Sequence, residues 1–108
     1  MKIERTLLYC RFSRRYLGFR EFQECVRIAL EDEERLLYVG AIYQEVGEKF
    51  GVSASGVERN LRTVLQYAWS RGGKEPLEQL SGGTFYDKPT VSEVIEILVC
   101  YLKEHEER

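Results

Sequence analysis

A chain of 108 residues, 44% of them hydrophobic and 31% charged, has room for one hydrophobic core, so a single globular domain is expected and a second is excluded. The longest apolar runs fall well short of the roughly 20 residues of a membrane span, and with only two prolines, Pro76 and Pro89, the composition argues against both a bilayer and disorder. The net charge of −2 is low for a nucleic-acid binder, but it is unevenly spread: residues 1–20 carry +5, residues 21–48 carry −6, residues 49–74 carry +4 and residues 75–108 carry −5.

Residues 1–15 mix Ile3, Leu7, Leu8, Tyr9 and Phe12 with Lys2, Arg5, Arg11, Arg14 and Arg15. They read as a basic and apolar arm before a helical domain over 16–108, and three roles are open: a short element packed on the domain, a dimer contact, or an arm tracking phosphates. No apolar core of a signal peptide is present, so a cytoplasmic location is expected. From Leu17 to about Leu30 the spacing of Phe19, Phe22, Val26 and Ala29 predicts an amphipathic helix. The acidic run Glu31-Asp32-Glu33-Glu34 then opens a second, short helix carrying Leu36, Leu37 and Val39, with Asp32 as its cap. A third helix, about Ala41 to Phe50, places Ile42, Val46 and Phe50 on one face.

The stretch from Tyr43 to Trp69 has the chemistry of a helix-turn-helix. Gly51 suits the left-handed conformation that ends a helix, Val52 is placed to plug between two helices, and Ser53 is a cap for the next one. Gly47 supplies a small residue where the second helix is expected to cross closely. In that second helix Val57, Leu61, Val64, Leu65 and Ala68 follow the spacing of a buried stripe, while Ser55, Arg59, Arg62 and Gln66 form a polar one. Asn60 stands where the pattern calls for another apolar residue, and Leu61 takes over that packing. A solvated face of an ordinary helical domain would show the same polar stripe; the turn chemistry is what favours DNA.

Trp69, beside Leu65 and Ala68, is expected to be substantially buried. Beyond it Ser70-Arg71-Gly72-Gly73 breaks the helix, and Pro76 fits the first turn of a fifth helix holding Leu77 and Leu80. A loop over 81–89 leads to Thr90-Val91-Ser92-Glu93, a capping box that opens the last helix with Val91, Val94, Ile95, Leu98 and Leu102 inward and a charged tail over 104–108. Three cysteines, Cys10, Cys25 and Cys100, with His105 as the one imidazole, do not assemble a zinc set, and Cys25 and Cys100 read as small buried hydrophobes. No metal and no cofactor is expected. No nucleophile with a base, no metal cluster and no phosphate loop points to an enzyme.

The run Ser55-Gly56-Val57-Glu58-Arg59-Asn60-Leu61-Arg62, followed by Ala68-Trp69-Ser70-Arg71-Gly72, resembles the C-terminal DNA-binding effector domain of the master sporulation response regulator of endospore-forming Firmicutes. In that family the recognition helix reads Ser-Arg-Val-Glu-Arg-x-x-Arg and ends in Ala-Trp-Ser-Arg-Gly. The resemblance runs from about Tyr16 to Glu106, through Tyr16-Leu17-Gly18-Phe19, Leu30-Glu31-Asp32-Glu33 and Lys88-Pro89-Thr90. It implies an all-α domain of about six helices, with the helix-turn-helix at helices three and four, that binds a short DNA box, often as a head-to-tail pair on tandem boxes. Two departures stand out: the family's first base-reading arginine is Gly56 here, and the receiver domain that the family carries upstream is not among these 108 residues.

The expected function is therefore a DNA-binding transcriptional regulator. Arg59 is the expected base reader, with two hydrogen bonds to guanine O6 and N7; Glu58 accepts from cytosine N4 or holds Arg62, and Ser55 lies among the base contacts. Arg62, Lys49, Arg71 and Ser53 are the expected phosphate contacts. Double-stranded DNA is the expected partner, with a homodimer on tandem sites and RNA polymerase or a related regulator as further ones. The alternative is an interaction module that modulates a full regulator or polymerase without reading DNA, which Gly56 and the acidic balance favour.

Overall fold

The computed structural model describes residues 2–106, all-α and without a strand among them; Glu107 and Arg108 of the expected charged tail lie outside the described residues. The first element is helix α1 (Lys2–Tyr9), whose Ile3 and Leu7 are buried together with Cys10 and Phe12 beyond its end. Ile3, Leu7 and Phe12 of the arm thus pack on the domain with Leu8 at their edge, while Tyr9 stays exposed. Two backbone bonds close α1: Arg11 N–H donates to the Leu8 carbonyl at 3.0 Å and Phe12 N–H to the Leu7 carbonyl at 3.0 Å. Arg11 takes the left-handed conformation this ending needs, φ 75°.

Helix α2 (Leu17–Glu31) is the centre of the fold. Phe19, Phe22, Val26 and Ala29 are buried as their spacing predicts, and Phe12 meets Phe22 edge-on at 4.9 Å between ring centroids. α2 packs on α1, on α3 (Val39–Phe50), on α4 (Ala54–Ala68) and on α6 (Val91–Glu106). Its approach to α4 is so close at Gly18 that a Cβ there would stand 2.3 Å from the Asn60 carbonyl oxygen.

The short second helix of the sequence reading is a 3-10 helix, Glu33–Tyr38, with Leu37 76% exposed rather than packed. Its tighter winding turns Leu36 toward the core and Leu37 away from it. Asp32 caps it as expected, its Oδ1 accepting from Glu34 N–H at 3.2 Å.

Past α4, a π-helical segment (Trp69–Gly73) holds a kink at Arg71 and Gly72, and α5 (Lys74–Ser81) follows with Pro76 in its first turn. Trp69 is half-buried, its ring edge-on to Phe85 at 6.0 Å, so it is a flank of the core rather than part of it. Trp69 keeps helical backbone angles and follows Ala68 at the edge of the buried stripe, so only part of its ring reaches the core before the chain kinks at Arg71 and Gly72. Thr90 and Glu93 cap α6 reciprocally, Glu93 Oε1 accepting from Thr90 N–H at 2.8 Å and Thr90 Oγ1 from Glu93 N–H at 3.2 Å. Val91, Val94, Ile95, Leu98 and Leu102 are buried beneath it. Cys100 is not: it is exposed on α6, whereas Cys10 and Cys25 are enclosed and burial pushes both thiols up to about 12.

Candidate nucleic-acid interface

The presentation of α4 begins with the turn that precedes it. Gly51 ends α3 in the left-handed conformation, φ 72°, and Val52 N–H donates to the Gly47 carbonyl at 2.8 Å. A Cβ on Gly47 would lie 2.1 Å from the Val52 carbonyl oxygen. The close crossing expected at Gly47 is therefore made by the backbone of the turn and not by the second helix. Ser53 then caps α4, its Oγ accepting from Gly56 N–H at 3.0 Å.

Val57, Leu61, Val64, Leu65 and Ala68 are all buried, which fixes the rotation of α4 and leaves Ser55, Arg59, Arg62 and Gln66 outside. Asn60, the misfit of the pattern, has a partner the sequence did not disclose: its Nδ2 donates to both oxygens of Glu21 on α2, at 3.1 and 3.3 Å. Glu21 is fully buried. Desolvation raises its pKa, against the lowering effects of the Asn60 amide and the Arg20 charge. This polar pair and the Gly18 contact together lock α4 onto α2.

Among the expected base contacts, Arg59 is exposed, pairs with no carboxylate among the described residues, and carries its guanidinium back toward the start of the helix, 4.0 Å from where a Cβ of Gly56 would be. Ser55 is exposed, with its hydroxyl 3.3 Å from that of Ser53. Glu58 takes the second of its two expected roles, since its oxygens accept from Arg62 Nε and Nη2 at 2.9 Å each. Both partners keep substantial exposure, so the pair is a solvent-screened surface bridge. Gly56 itself faces inward: a Cβ would meet Val52 Cγ1 at 2.7 Å and Ser53 Oγ at 3.1 Å.

The expected phosphate contacts are spread more widely. Lys49, in the last turn of α3, donates to Glu24 of α2 at 3.1 Å. Hydrogen bonding from Arg27, with Lys49 adding to it, holds the Glu24 carboxyl below its usual range. Arg71 lies past the C-terminal end of α4 and stacks over the Tyr67 ring at 4.9 Å. Lys88, from the loop before α6, donates to Gln66 on the polar stripe, a cation that the sequence reading did not place here. A groove of about 660 Å³ between that loop and α6 is lined by Asp87, Glu93, Glu96 and Glu104 against Lys88, and its acidic excess has the wrong sign for DNA.

The family model described as the sporulation initiation factor Spo0A C terminal matches residues 3–102. The chain belongs to this family. Spo0A C-terminal domains are DNA-binding effector domains of response regulators, so the chain is a DNA-binding regulator with double-stranded DNA as its partner, in a regulatory family and not an enzyme family. The Spo0A match starts at residue 3 and takes in α1, which the resemblance seen by motif, beginning at Tyr16, had left out. Among the described residues no helix is long and apolar enough to cross a membrane.

Proposed function

We propose that the chain is a sequence-specific transcriptional regulator that lays α4 in the major groove and reads base edges from its N-terminal half. The observation that carries this reading is Arg59: exposed, without a carboxylate partner among the described residues, and directed toward the first turn of a helix that Ser53 caps. Arg59 donates to guanine O6 and N7; Ser55, and Glu58 when it lets go of Arg62, contact neighbouring bases. Arg62, Arg71, Lys49 and Ser53 set position through phosphates. Two copies head to tail on tandem boxes, and a contact to RNA polymerase or a related regulator, are the assemblies this reading carries with it.

The reading as an interaction module that does not read DNA has two observations in its favour, the missing side chain at Gly56 and the engagement of Glu58 with Arg62. The two are separated by binding to duplex DNA over a range of salt. Arg62→Ala and Arg71→Ala are each expected to weaken binding to all sequences alike and to lower the salt slope by about 0.9 per lost contact. An unchanged slope in both variants would put these side chains away from the DNA.

A further inference from the structure

We infer that the loop joining α1 to α2 is a phosphate-binding site, which clamps the backbone of the duplex beside the bases read by α4. The inference rests on the proposed placement of α4 in the major groove. Arg11, Ser13, Arg14, Arg15, Tyr67 and Arg71 surround an open concavity of about 420 Å³, and no carboxylate lines it. Arg14 is neutralised from outside the concavity by Glu4 at 2.6 Å. Arg11, Arg15 and Arg71 have no carboxylate partner among the described residues, so an anion is what this wall of guanidinium groups lacks.

One of these arginines is held there against local preference, and another is braced by aromatic rings. Arg11 occupies the left-handed position that closes α1, φ 75°, where glycine would fit without strain. Arg71 sits in the kink after α4, φ −104° and ψ 21°, outside helical geometry. Its guanidinium is braced over Tyr67, and the Tyr67 ring is braced in turn by Tyr16 at 4.9 Å. Ser13 orders the loop by accepting from Arg15 N–H at 3.1 Å, which leaves its own hydroxyl proton for a ligand. Backbone strain retained at a charged side chain, as at Arg11, is a mark of a working site.

The position of the concavity selects the ligand. Tyr67 follows Arg59 on α4 by eight residues, roughly 12 Å along the helix axis. The major groove is about 12 Å wide, so a helix with Arg59 on the bases carries Tyr67, Arg71 and the loop toward the flanking strand. A phosphodiester there would accept from Arg11, Arg15 and Ser13. A free phosphate or nucleotide offers the same oxygens without the duplex, and the test below separates the two.

The test compares wild type, Arg11→Gly/Arg15→Ala and Arg59→Ala on a long duplex and on one shortened at the flank, as a function of salt. The double variant is expected to lower the salt slope by about 0.9, for the one phosphodiester it no longer neutralises, and to keep the sequence preference that Arg59→Ala loses. Shortening the flank is expected to weaken wild type and leave the double variant unaffected. Arg11→Gly alone should raise the Tm, because glycine relieves the left-handed backbone, while still weakening DNA binding; a gain in stability with a loss of binding excludes simple misfolding. A wild-type slope in the double variant, with Arg59→Ala still losing its preference, overturns the clamp and leaves the reading of α4 standing. If wild type binds no duplex but pyrophosphate shifts the amide resonances of residues 13–16, and does not in the double variant, the site belongs to a free phosphate and the duplex clamp is overturned together with that reading.

Discussion

Glu21 shows how much a single residue can hide from a sequence reading. It sits within the α2 stripe among Phe19, Phe22 and Cys25, fully buried, with Asn60 as its hydrogen-bond donor. Burial raises its pKa, so the folded protein holds this proton more tightly than the unfolded chain. The stability cost of ionising Glu21 is absent below the unfolded pKa, grows as pH rises toward the raised folded value, and is constant above it. Glu21→Gln is therefore expected to match wild type in acid and to become the more stable of the two as pH rises through that window, measured by denaturant unfolding at several pH values. A difference between the two proteins that does not change with pH would mean that Glu21 titrates alike folded and unfolded. The neighbouring Glu24 works in the opposite direction: Arg27 lowers its pKa, and its contribution is lost as pH falls.

At the scale of elements, the turn between α3 and α4 was readable because each of its positions obeys a local rule. Gly51 takes the positive φ, Ser53 the cap, and the apolar stripe of α4 the inward face. The 3-10 helix was not readable as such, since Leu36, Leu37 and Val39 fit an α-helical pattern equally well and only packing decides which of them turns inward. Helix α1 escaped for a related reason: eight residues with mixed apolar and basic side chains carry too little periodicity to choose an element, and the core that accepts Ile3 and Leu7 comes from distant parts of the chain. The turn also makes a sharp prediction. Gly47→Ala would push a methyl group to 2.1 Å from the Val52 carbonyl oxygen, a backbone atom that cannot swing aside. A loss of about 1–3 kcal/mol is expected from such overpacking, measured by chemical denaturation. No loss would mean that the turn relaxes freely and does not hold α4 in place.

For the molecule as a whole, the core is continuous from α1 to α6, and Trp69 with Phe85 closes its flank where the chain kinks. A Trp in a sealed core loses about 3–5 kcal/mol on truncation to Ala; half-buried as it is, Trp69→Ala is expected to lose about 1–3 kcal/mol. A loss near the upper core value would place the ring deeper than its exposure indicates. The charge blocks of the sequence map onto this body unevenly. The acidic groove beside α6 is built within the single stretch 80–104, whereas the basic rim around Arg11, Arg15 and Arg71 is a feature of three-dimensional assembly, because its residues come from segments far apart in the chain. The candidate base contacts were legible because they share one helix; the basic rim was not, because it joins residues 11–15 to residue 71.

The central claim is that α4 reads sequence through Arg59, and selection from a random pool of duplexes tests it most directly. Wild type is expected to enrich a short box. Arg59→Ala is expected to lose about 1–3 kcal/mol for that box while binding other duplexes nearly as before. A wild-type protein that enriches no sequence, and shifts no duplex in a gel even at low salt, would contradict the account.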